Sequence, residues 1–162
     1  MGQKAHRGAG GEGMLYRGTY EGGCFCGAIR YRFEDVFDAG YCHCSICRRT
    51  SGAPVIAWVN SPRAAFRVLQ GSPRLVATSA DFQRAFCDQC GTLMWTESID
   101  PARWDMVSVH HGTIDRAAEI EPAVHICHDD RLPWLRIDDV LPRAPDSRPP
   151  HPGGRGDPRW QA

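Results

Sequence analysis

Residues Gly23 to Glu34 read GCFCGAIRYRFE. Ile29, Tyr31 and Phe33 alternate with Arg30, Arg32 and Glu34, a period of two that puts apolar side chains on one face of a half-buried strand. Just before that strand, Cys24 and Cys26 flank Phe25, close enough for two thiolates to face one metal ion. Short strands next to cysteine pairs recur through the rest of the chain.

Downstream, Val55–Val59 (VIAWV) is a continuous apolar run, expected as a strand buried on both faces. Ala65–Leu69, Leu75–Ser79, Gln83–Phe86, Leu93–Thr96 and Met106–His110 are further short runs, set apart by Gly, Pro, Asn, Asp or Ser. One short helix is expected at about Ser45 to Thr50, ahead of Ser51-Gly52. Many short strands with no helix–strand alternation imply a mainly β domain, a sandwich or folded-over sheet, and count against a dinucleotide-binding fold.

Both ends differ from this middle. Residues 1–14 are glycine-rich and polar, and residues 143–162 are rich in Pro, Arg, Gly and Asp. Neither has enough apolar surface to bury, so both are expected as disordered tails around one folded unit at 15–142. A unit of that length buries a real core. The formal net charge of zero gives no field that favours nucleic acid or an anionic membrane. No run of 18 apolar residues is present, and the N-terminus lacks the apolar segment of a secretory signal, which points to a cytoplasmic protein. In that compartment clustered cysteines are more often metal ligands than disulfides.

Seven of the eight cysteines fall into three clusters: Cys24-x-Cys26-Gly27, Cys42-His43-Cys44-x-x-Cys47 and Cys87-x-x-Cys90-Gly91. Two thiolates on one tetrahedral Zn²⁺ sit about 3.7 Å apart, a spacing that CxxC and CxC turns reach when a glycine permits the bend. Pairing Cys24 and Cys26 with Cys87 and Cys90 makes a closed Cys₄ site that cross-links both ends of the domain. Structural zinc contributes roughly 10–16 kcal/mol in small peptides, as much as the whole stability of a domain, roughly 5–15 kcal/mol, so this site is expected to hold the fold. Cys42, Cys44 and Cys47 are three ligands with no evident fourth, the arrangement of a zinc with an open position for water or a substrate thiol. Candidates for a hidden fourth ligand are His43, His110, His111, His125 and Cys127, the last also readable as a small buried hydrophobe. Arg48-Arg49 follow the cluster directly and suit an anionic ligand, with a solvated helix face as the alternative. Trp58 and Trp95 read as pocket lining or as core.

The run Gly23-Cys24-Phe25-Cys26-Gly27-Ala28-Ile29-Arg30-Tyr31 resembles the opening motif of the glutathione-dependent formaldehyde-activating (GFA, CENP-V/GFA) family. Cys42-His43-Cys44-Ser45-x-Cys47-Arg48-Arg49, Phe86-Cys87-x-x-Cys90-Gly91-Thr92, and the closing His125-Ile126, Pro133-Trp134, Asp138-Asp139 and Leu141-Pro142 resemble it too. The resemblance covers about Tyr16 to Pro142 and departs at Cys127-His128-Asp129-Asp130. It implies an Mss4-like β-tent of short antiparallel strands with zinc knuckles and little helix. It also implies two zinc ions per chain: a structural one on Cys24, Cys26, Cys87 and Cys90, and a catalytic one on Cys42, Cys44 and Cys47. The implied activity is that of a carbon–sulfur lyase of the S-(hydroxymethyl)glutathione synthase type, which adds a thiol such as glutathione to a small aldehyde such as formaldehyde or reverses that addition. Arg48 and Arg49 are then candidates for holding a substrate carboxylate. The expected partners are a small thiol and a small aldehyde, with no nucleic acid or membrane and with a homo-oligomer left open. The rival expectation is a non-catalytic zinc-binding module or chaperone-like adaptor on the same platform.

Overall fold

The protein is described here from a computed structural model, which describes residues 16–145. The expectations for residues 1–14 and for most of the 143–162 segment lie outside that range.

Among the described residues, ten strands form two sheets. The first has three strands: β1 (Tyr16–Gly23), β2 (Arg30–Val36) and, beyond the next two strands in the chain, β5 (Arg67–Gln70), in the order β1-β2-β5. The second contains β3 (Asp38–Cys42), β4 (Ile56–Pro62), β6 (Arg74–Ala77), β7 (Phe82–Phe86), β8 (Leu93–Ser98), β9 (Met106–His110) and β10 (His125–Ile126). Its strand order is β10-β3-β4-β9-β8-β7-β6. Every pairing between these ten strands is antiparallel except the short parallel one of β10 with β3. The architecture is mainly β, as the alternating pattern implies.

The alternation in β2 does what the sequence suggests. Tyr31, Phe33 and Val36 are buried, while Arg32 and Glu34 face out. The buried face meets Val59, Met94, Trp95, Val107 and Val109 of the second sheet and forms one core with them. Tyr31 packs on Phe66 and Trp95 with ring centroids 5.5 and 5.6 Å apart. Each such side chain taken out of water is worth about 1.5–3 kcal/mol, so this layer joins the two sheets.

One local expectation needs correction, and two strands went unanticipated. Ala65–Leu69 is not one strand. Arg63–Ala65 makes a short 3₁₀ turn after Pro62, Phe66 packs against the core, and only then does β5 begin. β1 and β3 were not anticipated, because YRGTYEGG and DAGYC carry too few apolar residues for periodicity to register. They are strands because β2 and β4 pair with them along their length. The one α-helix among the described residues, α1, spans Ser45–Ser51 and ends at Gly52, whose φ of 71° lets its N–H turn back to the Arg48 carbonyl at 2.8 Å.

The last described segment runs beside β10. The His125 N–H donates to the Pro142 carbonyl at 2.8 Å, and the Ala144 N–H donates to the His125 carbonyl at 2.8 Å. β3, α1, β10 and this segment surround a second, smaller apolar cluster that contains Cys42, Cys44, Ile46, Cys47, Ile56, Trp58 and Cys127.

Candidate metal centres

All eight cysteines are free thiols. The Sγ atoms of Cys24, Cys26, Cys87 and Cys90 lie within 4.8 Å of one another. Cys24 and Cys26 are 3.5 Å apart and Cys26 and Cys87 are 3.8 Å apart, near the separation that a tetrahedral zinc imposes. Cys24 and Cys26 occupy the turn between β1 and β2, and Cys87 and Cys90 occupy the one between β7 and β8. This site therefore joins the two sheets at one end. Gly27 and Gly91, at φ of 76° and 73°, close the two turns by donating to the carbonyls of Cys24 and Cys87.

The surroundings of Cys24 and Cys90 favour their thiolates. The Ile29 N–H donates to Cys24 Sγ at 3.2 Å, and the Thr92 hydroxyl lies 3.1 Å from Cys90 Sγ. Hydrogen bonds from the Thr92 side chain and backbone, then from the Cys26 N–H, hold the Cys90 thiol down to about 5. Four sulfurs at these separations fit a closed zinc site.

The second cluster is buried. Cys42 ends β3, Cys44 caps α1 and Cys47 lies in its first turn, and their three sulfurs are within 4.8 Å of one another. Cys44 Sγ accepts from the Cys47 N–H at 3.3 Å. Arg84 on β7 is 1% exposed, and its Nη2 donates to Cys47 Sγ at 3.5 Å. Its Nη1 donates to Thr78 Oγ1, and its Nε is buried without a partner. Sequence reasoning did not single out Arg84. The only signal was a charge inside an otherwise apolar strand, and a buried guanidinium of this kind requires a fixed anion beside it. Three sulfurs with a buried cation behind them fit a zinc ion with one further position.

None of the four candidate histidines joins this donor set. His43 and His125 are bonded to each other, Nε2 to Nδ1, at 2.9 Å. His125 Nε2 lies 3.0 Å from Asp139 Oδ2, and Arg143 pairs with the same carboxylate at 3.1 Å. His111 Nε2 is 2.7 Å from the Ile120 carbonyl. His110 is buried at the end of β9, and burial pushes it down to about 4. Cys127 does reach the cluster. Its thiol is hydrogen-bonded with those of Cys42 and Cys44, and these bonds lower it to about 5.

The two arginines after the cluster differ. Arg48 is committed to backbone carbonyls, Nε to His43 at 3.1 Å and Nη2 to Asp130 at 3.3 Å, and so ties α1 to the turn at His128–Asp130. Arg49 is on the exposed face of α1. Trp58 belongs to the cysteine-rich cluster and Trp95 to the main core.

A family model described as "Glutathione-dependent formaldehyde-activating enzyme" (GFA) matches residues 19–130. The chain belongs to this GFA family. The matched span includes all eight cysteines and ends before Asp139 and Arg143. A Halomonas elongata protein named "Putative glutathione-dependent formaldehyde-activating enzyme" is 30% identical over 129 residues, covering 73% of this chain and 80% of that protein. A solved Rhodobacter sphaeroides structure aligns at 21% identity with a TM-score of 0.49, covering 76% of this chain and 99% of that one, a similarity too low to carry an argument. Among the described residues of this GFA-family chain, no helix is long and apolar enough to cross a membrane.

Proposed function

We propose that this protein is a zinc-dependent carbon–sulfur lyase that adds a glutathione-like thiol to a small aldehyde, formaldehyde being the smallest, or reverses that addition. One observation carries the reading: two sets of cysteines of different size, one of four sulfurs and one of three, in a chain of the GFA family. In this reading residues 15–142 are the working unit, the protein is cytoplasmic, and each chain takes two zinc ions.

Zinc at the Cys42, Cys44 and Cys47 site would keep a bound thiol deprotonated at neutral pH. The chain supplies everything else. Cys42 is held at the end of β3 and Cys44 and Cys47 at the start of α1, so the position facing them is preset. The apolar side chains of Ile46, Ile56 and Trp58 keep water away from the sulfur nucleophile, which strengthens every charge interaction there. Arg84 offsets the negative charge gathered on the sulfurs. Arg49, exposed on α1, and Arg48 are the candidates for holding a substrate carboxylate.

Replacing Cys44 with Ser and measuring zinc content, folding and thiol–aldehyde turnover tests this assignment. The expected variant folds, loses the second zinc and loses turnover. A Cys44→Ser protein with two zincs per chain and unchanged turnover would overturn the assignment.

A further inference from the structure

Among the described residues, only two that are not glycine hold a positive φ, Asp35 and Cys127. Cys127 sits at φ 51° and ψ 40°, in the left-handed region where a residue with a Cβ pays about 1–2 kcal/mol. Asn or Gly would fill such a corner at lower cost. The corner is tightly built. β10 pairs in parallel with β3 so that Ile126 lies opposite Cys42, and the His43 N–H donates to the Ile126 carbonyl at 3.1 Å. One residue later the chain turns back on itself, with the Asp130 N–H donating to the Cys127 carbonyl at 3.1 Å and the His128 N–H donating to the Ala144 carbonyl at 3.0 Å.

This turn places the Cys127 side chain, 6% exposed, among Cys42, Cys44, Cys47, Ile46, Ile56 and Trp58. Its thiol bonds to two of the three sulfurs of the second set, Cys42 and Cys44. It is not one of the three sulfurs that are mutually within 4.8 Å. A cysteine kept only to fill space would need neither the strained corner nor the two sulfur contacts. A permanent fourth ligand would lie inside the group. Cys127 has the placement of a ligand that reaches the site and can also leave it.

We propose that Cys127 is the chain's own occupant of the fourth position at the Cys42, Cys44 and Cys47 site, and that an external thiol displaces it. The inference rests on the thiol-binding reading above. In the exchange the Cys127 sulfur–zinc bond breaks and the external sulfur–zinc bond forms. The proton of the incoming thiol passes to the departing Cys127 sulfur, so charge is conserved and no electron moves. The device keeps the ion fully coordinated between turnovers and makes thiol binding a competition rather than a simple capture.

Cadmium substituted for zinc reports each site separately, because its NMR shift follows the number of thiolates bound. In the unaltered protein without added thiol, two signals in the four-sulfur range are expected. In Cys127→Ser one of them moves to the three-sulfur range, and glutathione returns it to the four-sulfur range. A three-sulfur signal in the unaltered protein, or a Cys127→Ser spectrum identical to it, overturns the role of Cys127. A shift in Cys127→Ser that glutathione fails to reverse leaves Cys127 as a ligand and overturns the thiol-binding reading instead. The unaltered protein decides the first point even where the variant folds poorly.

Discussion

His43 Nε2 lies 2.9 Å from His125 Nδ1, and the proton between them can be assigned from the far end of the chain of contacts. Asp139, held below the usual carboxylate range first by its hydrogen bond with His125, can only accept. His125 therefore carries a proton on Nε2; in the neutral ring its Nδ1 is then bare, and His43 donates from its own Nε2. The His43 Nδ1 is left as a buried lone pair without a partner. The residue between Cys42 and Cys44 is thus oriented by a carboxylate 96 positions away along the chain.

Replacing Asp139 with Asn removes the feature that sets this order, since an amide can present its N–H₂ to His125. The expected cost is about 1–3 kcal/mol of folding stability, the range for losing a charge-assisted hydrogen bond that is partly buried, read from urea unfolding of the zinc-loaded protein. Unchanged stability would mean that the pair is held by packing alone.

Acid should destabilise the fold through its buried histidines. Burial is the largest cause lowering His43 to about 4, and likewise His110. Below the ordinary histidine value of ~6.5 the unfolded chain takes up protons that the folded chain refuses, so stability is complete above that pH and falls as pH drops toward 4. Urea midpoints compared across this window should decline, and His110→Phe should decline less steeply than the unaltered protein. An identical slope in the variant would remove His110 from this account.

The four-sulfur site and the three-sulfur site should respond differently to loss of a ligand. Cys87→Ser breaks the closed set that joins the turns of both sheets, and an ion worth roughly 10–16 kcal/mol outweighs a margin of roughly 5–15 kcal/mol. Circular dichroism should show a chain that has lost its fold, whereas Cys44→Ser remains folded with one zinc. Equal behaviour of the two variants would mean that the sites do not divide structure from chemistry.

These cysteine sets were legible in the sequence because their spacing is local. CxC, CxC-x-x-C and CxxC each fix two or three sulfurs within a few residues, and the glycines at Gly27 and Gly91 mark the turns. The alternation of Ile29, Tyr31 and Phe33 exposed β2 for the same reason. β1 and β3 were hidden because their order comes from pairing partners rather than from apolar content. The contacts around the second site were hidden by distance: Arg84 is 37 residues from Cys47, and His125 is 82 from His43. Cys127 stood among the candidate ligands from the start, but only the parallel register of β10 on β3 separates it from an ordinary buried thiol.

Arg84 should act through the metal site rather than through the core. Arg84→Met keeps the bulk and removes the donor to Cys47, with an expected loss of about 10–100-fold in zinc affinity at the second site alone, measured by chelator competition. Arg84→Lys should recover part of it. Equal affinity in all three proteins would make Arg84 a packing residue.

The central claim is that the second site brings a thiol and an aldehyde together. Exchange NMR on a mixture of glutathione and formaldehyde measures the rate at which methylene hydrate and S-hydroxymethyl adduct interconvert, with and without the zinc-loaded protein. The account predicts an exchange rate that rises in proportion to protein and returns to the buffer rate with Cys44→Ser. A rate equal to that of buffer at every protein concentration would contradict it.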